Sequence, residues 1–387
     1  MNRKNTMILL CIFYTFSYFM LVFTNAYMLT YLDSIGYNAM QRGILLSGIA
    51  IVAILSPILI GFLCDRFKTV KKIYNLTLIG LLLVNLFLYQ LTSQQFFIHL
   101  IFTALTGGLF HTLSTIQDTW TLEIDSFYKT RFGPIRAFGA IGWMIASPIA
   151  GWVVEKYGYS MLGYVFAGLA ILNILFTLSL PDANKEVNAK PIRFTELCEL
   201  LKNPNYRLVV FIFLFINIMS SADGFTAIDK MISLGAKESL IGFRWSLQAF
   251  VELPLFFAGT YLLRKFGGLK LTMFGTTMYI LRFISYAFAT TAEMIVIVSL
   301  MQLVTFPLTT LTSRTMVDHV TPTRLKSSGL AIASSIYVGI PALITPILAG
   351  MLISGFGIDI ALVIIASLGS IALLLGIFYH KKSTANV

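Results

Sequence analysis

Residues 61–72 of the chain read Gly-Phe-Leu-Cys-Asp-Arg-Phe-Lys-Thr-Val-Lys-Lys, a short basic segment that follows a long apolar run. A related segment, Gly-Thr-Tyr-Leu-Leu-Arg-Lys-Phe-Gly-Gly-Leu-Lys, occupies residues 259–270. The first glycine, the arginine and the last lysine of the two segments match at a constant spacing of 198 residues, about half of the 387-residue chain. This spacing predicts a duplicated architecture in which each half of the chain repeats the same set of helices.

The composition of the whole chain excludes the soluble classes of protein. Apolar residues make up 57% of the sequence, charged residues only 12%, and the mean hydropathy is +0.83. A soluble domain has about 45–50% apolar and about 25% charged residues. Because the apolar excess runs along the full length, a soluble enzyme, a disordered protein and a secreted disulfide scaffold are all excluded. We therefore predict a polytopic membrane protein.

Twelve apolar runs are long enough to cross a bilayer, which takes about 20 residues for a helix. The polar stretch 181–206 contains three prolines and separates the sixth run from the seventh. We predict an all-α membrane protein with twelve transmembrane helices in two pseudo-symmetric bundles: six helices in residues 1–180, a cytoplasmic linker in 181–206 and six helices in 207–387. The predicted runs are 6–31, 41–64, 73–92, 96–121, 135–155, 159–180, 207–230, 239–263, 271–290, 293–317, 326–353 and 357–379.

The placement of lysine and arginine predicts the orientation in the membrane. If the N-terminus is cytoplasmic, most of the 28 lysine and arginine residues fall in the inside segments, as the positive-inside rule requires. We therefore expect a multi-pass protein of the cell membrane with both termini in the cytoplasm. The first run lacks a small-residue cleavage site and is expected to be retained as a span. The net charge of +11 is thus a sign of topology, and no nucleic-acid partner is expected.

Motifs for ATP hydrolysis and for metal chemistry are missing from the sequence. The chain contains neither G-x-x-x-x-G-K-[ST] nor H-E-x-x-H, and its four histidines are scattered. Its three cysteines are too far apart for a metal site or a disulfide framework. We therefore predict neither an ATP-driven pump nor an enzyme, and no cofactor or metal. The cysteines are Cys11, Cys64 and Cys198.

The 61–72 segment resembles the loop signature of the major facilitator superfamily, G-x-x-x-D-R-x-G-x-x-R/K-R/K, with Lys68 in place of the second glycine. The resemblance implies a fold of two six-helix repeats that rock around a central site. It also implies a conformational latch, whereas the residues alone leave open a basic loop that only sets the topology. The latch residues that match the signature are Gly61, Asp65, Arg66 and Lys72.

A narrower resemblance lies in the fourth and fifth runs, where Asp118 and Arg136 are 18 residues apart and Trp143 follows. The pattern is similar to the lactose permease-like oligosaccharide:proton symporter family, in which an acid and an arginine bind the sugar and a tryptophan stacks on it. The resemblance implies that all three residues bind substrate. From the residues alone, a structural ion pair and a packing or lipid-facing tryptophan stay open.

In the second half, Asp223 and Arg282 also match this family in register, and Asp223 is a further candidate for binding substrate. Arg282 is expected to face the protein interior and to meet an acid on the seventh or eighth span. The family's glutamate on the eighth span falls at Gln248 or Ala249, so Gln248 is another candidate. The lysine, histidine and glutamate that the family carries on the tenth span are replaced here, by Ser299, Gln302 and Thr305.

Glu252 lies in an apolar run, in Phe-Val-Glu-Leu-Pro, with no basic residue near it in that run. A carboxylate in hydrocarbon pairs with a base, faces water or takes up a proton. We therefore predict a proton-coupling role for Glu252 with Arg282. A permanent structural pair between these two residues is the alternative.

Together these patterns predict a secondary active transporter that moves a sugar or a similar small hydroxylated solute in symport with protons by alternating access. The alternatives are a nucleoside or aromatic-acid proton symporter, since the phenylpropionate and nucleoside permeases share this architecture, and a multidrug exporter. The expected partners are a small-molecule substrate, protons and membrane lipid, and the chain is expected to function as a monomer.

Overall fold

The computed structural model describes residues 3–183, 200 and 202–384, and the regular elements of these residues are helices. The predicted linker 181–206 lies largely outside the described residues. The α-helices are α1 (Arg3–Asn25), α2 (Met28–Ser34), α3 (Ala39–Phe67), α4 (Lys71–Leu88), α5 (Phe96–Ile124), α6 (Ser126–Lys129), α7 (Phe132–Tyr157), α8 (Ser160–Thr177), α9 (Pro204–Ser233), α10 (Glu238–Phe266), α11 (Gly268–Ala287), α12 (Ala292–Val298), α13 (Phe306–Val320), α14 (Lys326–Ser334), α15 (Ile340–Phe356) and α16 (Ile358–Thr384).

Ten stretches of the described residues are helical, long and apolar enough to cross a membrane. Helices α10 and α11 cover the predicted runs 239–263 and 271–290 but are not among the ten. Helix α11 carries Arg282 in mid-helix, and this residue lowers its apolar content. The count of twelve spans therefore stays a prediction.

Two of the runs that the sequence suggests as continuous helices are interrupted. The tenth run is divided by a 3₁₀ segment at Ser299–Val304 and the eleventh by a π-helical segment at Ser335–Gly339. Each segment comes shortly before a proline at the start of the next α-helix, Pro307 in α13 and Pro341 in α15. Because proline has no N–H, it cannot donate the hydrogen bond that would continue the preceding helix.

Contacts group the chain into two compact units, and unit 1 comprises Met1–Asn188 together with Ala236–Phe250. Within unit 1, α3 packs along α5, α1 along α7, and α4 against both α5 and α8. The α1–α7 contact is very close at Gly142, where an added Cβ would lie 2.0 Å from the carbonyl oxygen of Thr15. Small residues allow helices to approach in this way, and they bring α1 next to the polar residues of α5 and α7.

Unit 2 comprises Ala189–Gly235 and Val251–Val387. Its helix α16 packs against α9 and α11, while α13 packs against α11 and α9. Residues Ala236–Phe250, the first part of α10, group with unit 1 instead. The predicted division into residues 1–180 and 207–387 stays a prediction.

Candidate functional site

An ion pair joins α5 and α7 in unit 1. The Nε atom of Arg136 lies 3.1 Å from Oδ1 and 3.4 Å from Oδ2 of Asp118. The two side chains are 37% and 31% exposed, so the pair is accessible rather than sealed in the core. This contact uses one of the five N–H donors of the guanidinium and leaves the others able to bind a ligand. The two residues predicted from their spacing are thus brought together.

Two tyrosines of α1 complete this group. The hydroxyl of Tyr14 donates to Oδ1 of Asp118 at 2.9 Å, and the guanidinium carbon of Arg136 lies 4.6 Å from the ring centroid of Tyr18. Both tyrosines are buried, at 0% and 8% exposure. Sequence reasoning missed them, although their spacing of four residues places two polar-tipped rings on one face of an apolar helix. We call Tyr14, Tyr18, Asp118 and Arg136 the unit 1 polar group.

Trp143 lies about two turns from Arg136 along α7. Its ring centroid is 6.0 Å from that of Phe110 on α5, in an edge-to-face arrangement. The indole is half-buried. The rings of Trp143 and Phe110 therefore supply an aromatic surface on the same two helices that carry the ion pair.

A second polar group lies in unit 2 around Arg282 of α11, whose side chain is 0% exposed. The Nη2 atom pairs with Asp223 of α9 at 3.0 Å, and Nε donates to the hydroxyl of Tyr286 at 2.8 Å. The Nη1 atom donates to Oε1 of Gln302 and, at 3.1 Å, to the hydroxyl of Thr305. A buried guanidinium is tolerated when its donors are satisfied in this way. The predicted acid partner of Arg282 is thus found on α9.

Glu252 of α10 joins the same group through Gln302, whose Nε2 donates to Oε1 of the carboxylate at 2.6 Å. Gln302 belongs to the 3₁₀ segment between α12 and α13. Its side chain therefore contacts both Glu252 and Arg282. We call Asp223, Glu252, Arg282 and Gln302 the unit 2 polar group.

Gln248 is buried, at 3% exposure, in the part of α10 that belongs to unit 1. Its assignment as a substrate contact stays a prediction. The proposed latch residues Asp65, Arg66 and Lys72 are exposed, and Gly61 has open space where a Cβ would stand. The latch likewise stays a prediction.

The segment after α3 is held by Asp182, a residue that the sequence did not single out. Its Oδ1 accepts from the backbone N–H groups of Val70 and Lys71, each at 3.0 Å, and its Oδ2 accepts from the hydroxyl of Thr69. Burial by itself raises the pKa of this carboxyl, but the hydrogen bonds outweigh burial and hold the pKa below its ordinary value. Asp182 therefore caps the N-terminus of α4 from the end of α8.

A family model, that of the MFS_1 like family, matches residues 7–364. The chain belongs to this family. The major facilitator resemblance is therefore confirmed, and the ten candidate spans agree with a multi-pass membrane protein.

Relatives of this MFS_1-like chain include transporters of two kinds. It is 26% identical over 266 residues to the putative nucleoside transporter YegT of Escherichia coli (strain K12), covering 65% of this chain and 61% of that one. It is 26% identical over 187 residues to the nucleoside permease NupG of the same organism, covering 45% and 43%. It is 22% identical over 293 residues to a maltose permease of Geobacillus stearothermophilus, covering 73% and 72%. The first two matches thus span less than two thirds of their relatives' lengths.

Solved structures support the fold. The crystal structure of nucleoside transporter NupG matches with a TM-score of 0.83 at 18% identity, covering 98% of this chain and 100% of that one. A bacterial homologue of the human lysosomal transporter Spinster matches with a TM-score of 0.77 at 14% identity, covering 98% and 97%. At these identities the likeness shows the major facilitator fold alone.

Proposed function

We propose that the chain takes up nucleosides in symport with protons across the cell membrane, with both termini in the cytoplasm. The observation that carries this proposal is the half-exposed Asp118–Arg136 pair with the Trp143 and Phe110 rings on the same two helices. The pair can bind hydroxyl groups, and the rings can stack on an aromatic base.

Each part of a nucleoside has a matching group in unit 1. The carboxylate of Asp118 accepts hydrogen bonds from ribose hydroxyls, while the remaining N–H donors of Arg136 bind ribose oxygens or base carbonyls. A planar base stacks on an indole with its π-face, and this contact is tolerant of base identity. Tyr14 holds Asp118 in place by its hydrogen bond to Oδ1.

The relatives favour nucleosides over the sugar that the sequence patterns suggest first. Two of the relatives described above are a putative nucleoside transporter and a nucleoside permease. A sugar is the second candidate, because the maltose permease aligns with a larger share of the chain, 73%. Both substrate classes carry the hydroxyl groups that the ion pair would bind.

The proton is carried by Glu252 in this proposal. The carboxylate lies in the middle of α10, and the described hydrogen bond to it comes from an amide rather than from a base. Arg282 is already occupied by Asp223, so it leaves Glu252 able to exchange a proton. We expect Glu252→Gln to abolish accumulation against a gradient while exchange of labelled for unlabelled nucleoside continues. Intact accumulation in this variant would rule out the assignment.

The substrate class is tested by thermal stabilisation of the detergent-purified protein against nucleosides, mono- and disaccharides and aromatic acids. A ligand that binds only the folded state stabilises it by about 2.7 kcal/mol at a hundredfold excess over the dissociation constant. Uptake of labelled uridine into proteoliposomes, with each candidate as competitor, then measures transport.

Stabilisation by nucleosides that is lost in both Asp118→Asn and Arg136→Gln would support the proposal. Stabilisation by sugars alone would transfer the assignment to the second candidate. A response confined to bulky lipophilic cations would overturn both and favour a multidrug exporter.

A further inference from the structure

Gln302 lies between the two charged parts of the unit 2 polar group. Its Oε1 accepts from Nη1 of Arg282, and its Nε2 donates to Oε1 of Glu252 at 2.6 Å. Arg282 also pairs with Asp223 at 3.0 Å. The carboxylate of Glu252 is thus linked to the buried ion pair through a single neutral side chain.

The orientation of this amide is determined by chemistry. A guanidinium can only donate, so the oxygen of Gln302 must face Arg282 and its NH₂ group must face Glu252. An ionised Glu252 accepts this hydrogen bond as a charged acceptor, whereas a protonated carboxyl accepts it only as a weaker, neutral one. The amide therefore favours the charged form of Glu252, and its hydrogen bond to this residue weakens when the charge is neutralised.

The backbone around Gln302 departs from a regular α-helix. Ser299–Val304 is a 3₁₀ segment that interrupts the tenth run, and a short 3₁₀ stretch within a longer helix often marks a hinge. On its other sides the segment is held by a hydrogen bond between the hydroxyls of Ser299 and Tyr286, at 3.0 Å, and by one from Arg282 to Thr305, the residue that follows it. Among the described residues, Gln302 supplies a hydrogen bond that joins the segment to α10.

We propose that Gln302 is a positioning residue for proton coupling, which ties the 3₁₀ segment to α10 strongly while Glu252 is charged and loosens this tie when Glu252 takes up a proton. This inference rests on the proposed proton symport. It goes beyond that function by assigning the step that converts protonation into a change of backbone contacts.

The groups that act on Glu252 come from three elements. Arg282 and Tyr279 lie on α11, Asp223 on α9, and Gln302 on the 3₁₀ segment. Asp223 and Arg282 are paired with each other, so their charges largely cancel at Glu252. Gln302 is the neighbour that binds the carboxylate directly in the described structure.

The test measures the rate of uridine uptake into proteoliposomes over a range of pH, for Gln302→Met and for the wild type. Methionine has a similar length but cannot donate to Glu252. A hydrogen bond to a charged group contributes enough to shift a titration by about one pH unit, so we expect the midpoint of the uptake profile to move to higher pH by about that amount. Gln302→Glu keeps an acceptor for Arg282 but faces Glu252 with a second carboxylate, and is expected to move the midpoint further in the same direction.

The decisive control is a double-mutant cycle. In a Glu252→Gln background, Gln302→Met should produce no further change in the pH profile of uridine exchange, because the group that it positions no longer titrates. Gln90→Met, at an exposed glutamine that follows α4, is the matched substitution outside the group and should behave as wild type. An unchanged midpoint in Gln302→Met, or an equal shift with and without Glu252, would overturn the inference.

A second readout separates this inference from the function on which it rests. The pH dependence of thermal unfolding of the purified protein reports the coupling of Gln302 to Glu252 without any substrate. If the wild type fails to transport uridine, the proposed substrate is wrong. The cycle measured by unfolding would still confirm or reject the role of Gln302.

Discussion

The hydroxyl of Tyr14 donates to Oδ1 of Asp118 at 2.9 Å, although the two residues are 104 positions apart in the sequence. The same carboxylate is held by Nε of Arg136 at 3.1 Å. Asp118 of α5 is thus held by one residue of α1 and one residue of α7. Because both partners contact Oδ1, the position of the carboxylate depends on both.

Tyr14→Phe should weaken transport without unfolding the protein. The substitution removes one hydrogen bond to a charged acceptor, worth about 1.5–3 kcal/mol, and leaves the ring that packs in the core. We expect the concentration for half-maximal uridine uptake to rise about tenfold. Measurement of initial uptake rates against uridine concentration checks this.

Tyr206→Phe is the matched control, because Tyr206 is equally buried but donates to the backbone carbonyl of Gly329 in unit 2. It should lower the thermal unfolding temperature as much as Tyr14→Phe does, and leave the half-maximal concentration unchanged. Equal effects of the two substitutions on uptake would refute the role of Tyr14.

The ion pairs could be predicted from the sequence because charges are rare in apolar runs. A charge in hydrocarbon needs a partner, so Asp118 and Arg136 could be paired from two adjacent runs, and Arg282 could be assigned an acid on the seventh or eighth span. Each pair is present in the described structure. The all-helical fold followed equally directly from the apolar composition.

Neutral partners could not be predicted in this way. Tyr14 and Gln302 carry no charge, so nothing in the apolar runs required them to have a particular neighbour. Asp182 lies in a polar stretch where an acid is ordinary, and its role depends on α4 beginning beside the end of α8. The 3₁₀ segment could not be predicted, because residues Ser299–Val304 are largely apolar, like the helical run around them. Hydropathy does not distinguish a 3₁₀ helix from an α-helix.

Gly142 should tolerate no side chain. An added Cβ would lie 2.0 Å from the carbonyl oxygen of Thr15, and a backbone atom cannot move aside as a side chain can. Forcing α1 and α7 apart costs about 1–3 kcal/mol by analogy with overpacked cores, so Gly142→Ala should lower the thermal unfolding temperature. It should also weaken uridine binding, because α1 carries Tyr14 and Tyr18.

Gly168→Ala on α8 is the control, since an exposed Cβ at this position meets nothing within 4 Å. Alanine favours a helix over glycine by about 1 kcal/mol, so this variant should be as stable as the wild type or more so. Equal unfolding temperatures for the two variants would show that the α1–α7 contact is looser than the structure indicates.

Lys68 ends α3 in the left-handed conformation, with φ 51° and ψ 36°. Residues other than glycine adopt this conformation at a cost of about 1 kcal/mol, and the major facilitator signature places a glycine here. Lys68→Gly should therefore raise the stability of unit 1 by about 1 kcal/mol. Lys68→Ala removes the same charge but keeps the backbone strain. The Lys68→Gly variant should therefore unfold at a higher temperature than the Lys68→Ala variant. The reverse order would mean that the lysine side chain itself stabilises the turn.

Asp182 should make the stability of the chain depend on pH in the acid range. Hydrogen bonds from Thr69 and the start of α4 hold the pKa of this carboxyl below its ordinary value despite its partial burial. A carboxyl with a lowered folded-state pKa stabilises the protein at pH values above its unfolded-state pKa, about 3.9 for aspartate. That contribution is lost as the pH falls through the folded-state pKa.

Asp182→Ala removes the cap as well as the charge and should cost about 1 kcal/mol at neutral pH, measured by thermal unfolding. Asp182→Asn can still accept the N–H hydrogen bonds, so it should cost less while showing the same loss of pH dependence. Both differences from the wild type should shrink as the pH falls below about 3.9, the unfolded-state pKa of aspartate, towards the lowered pKa of the folded carboxyl. A deficit in Asp182→Ala that stays constant down to pH 3 would show that the cap acts through its shape alone, since the charge would then contribute nothing.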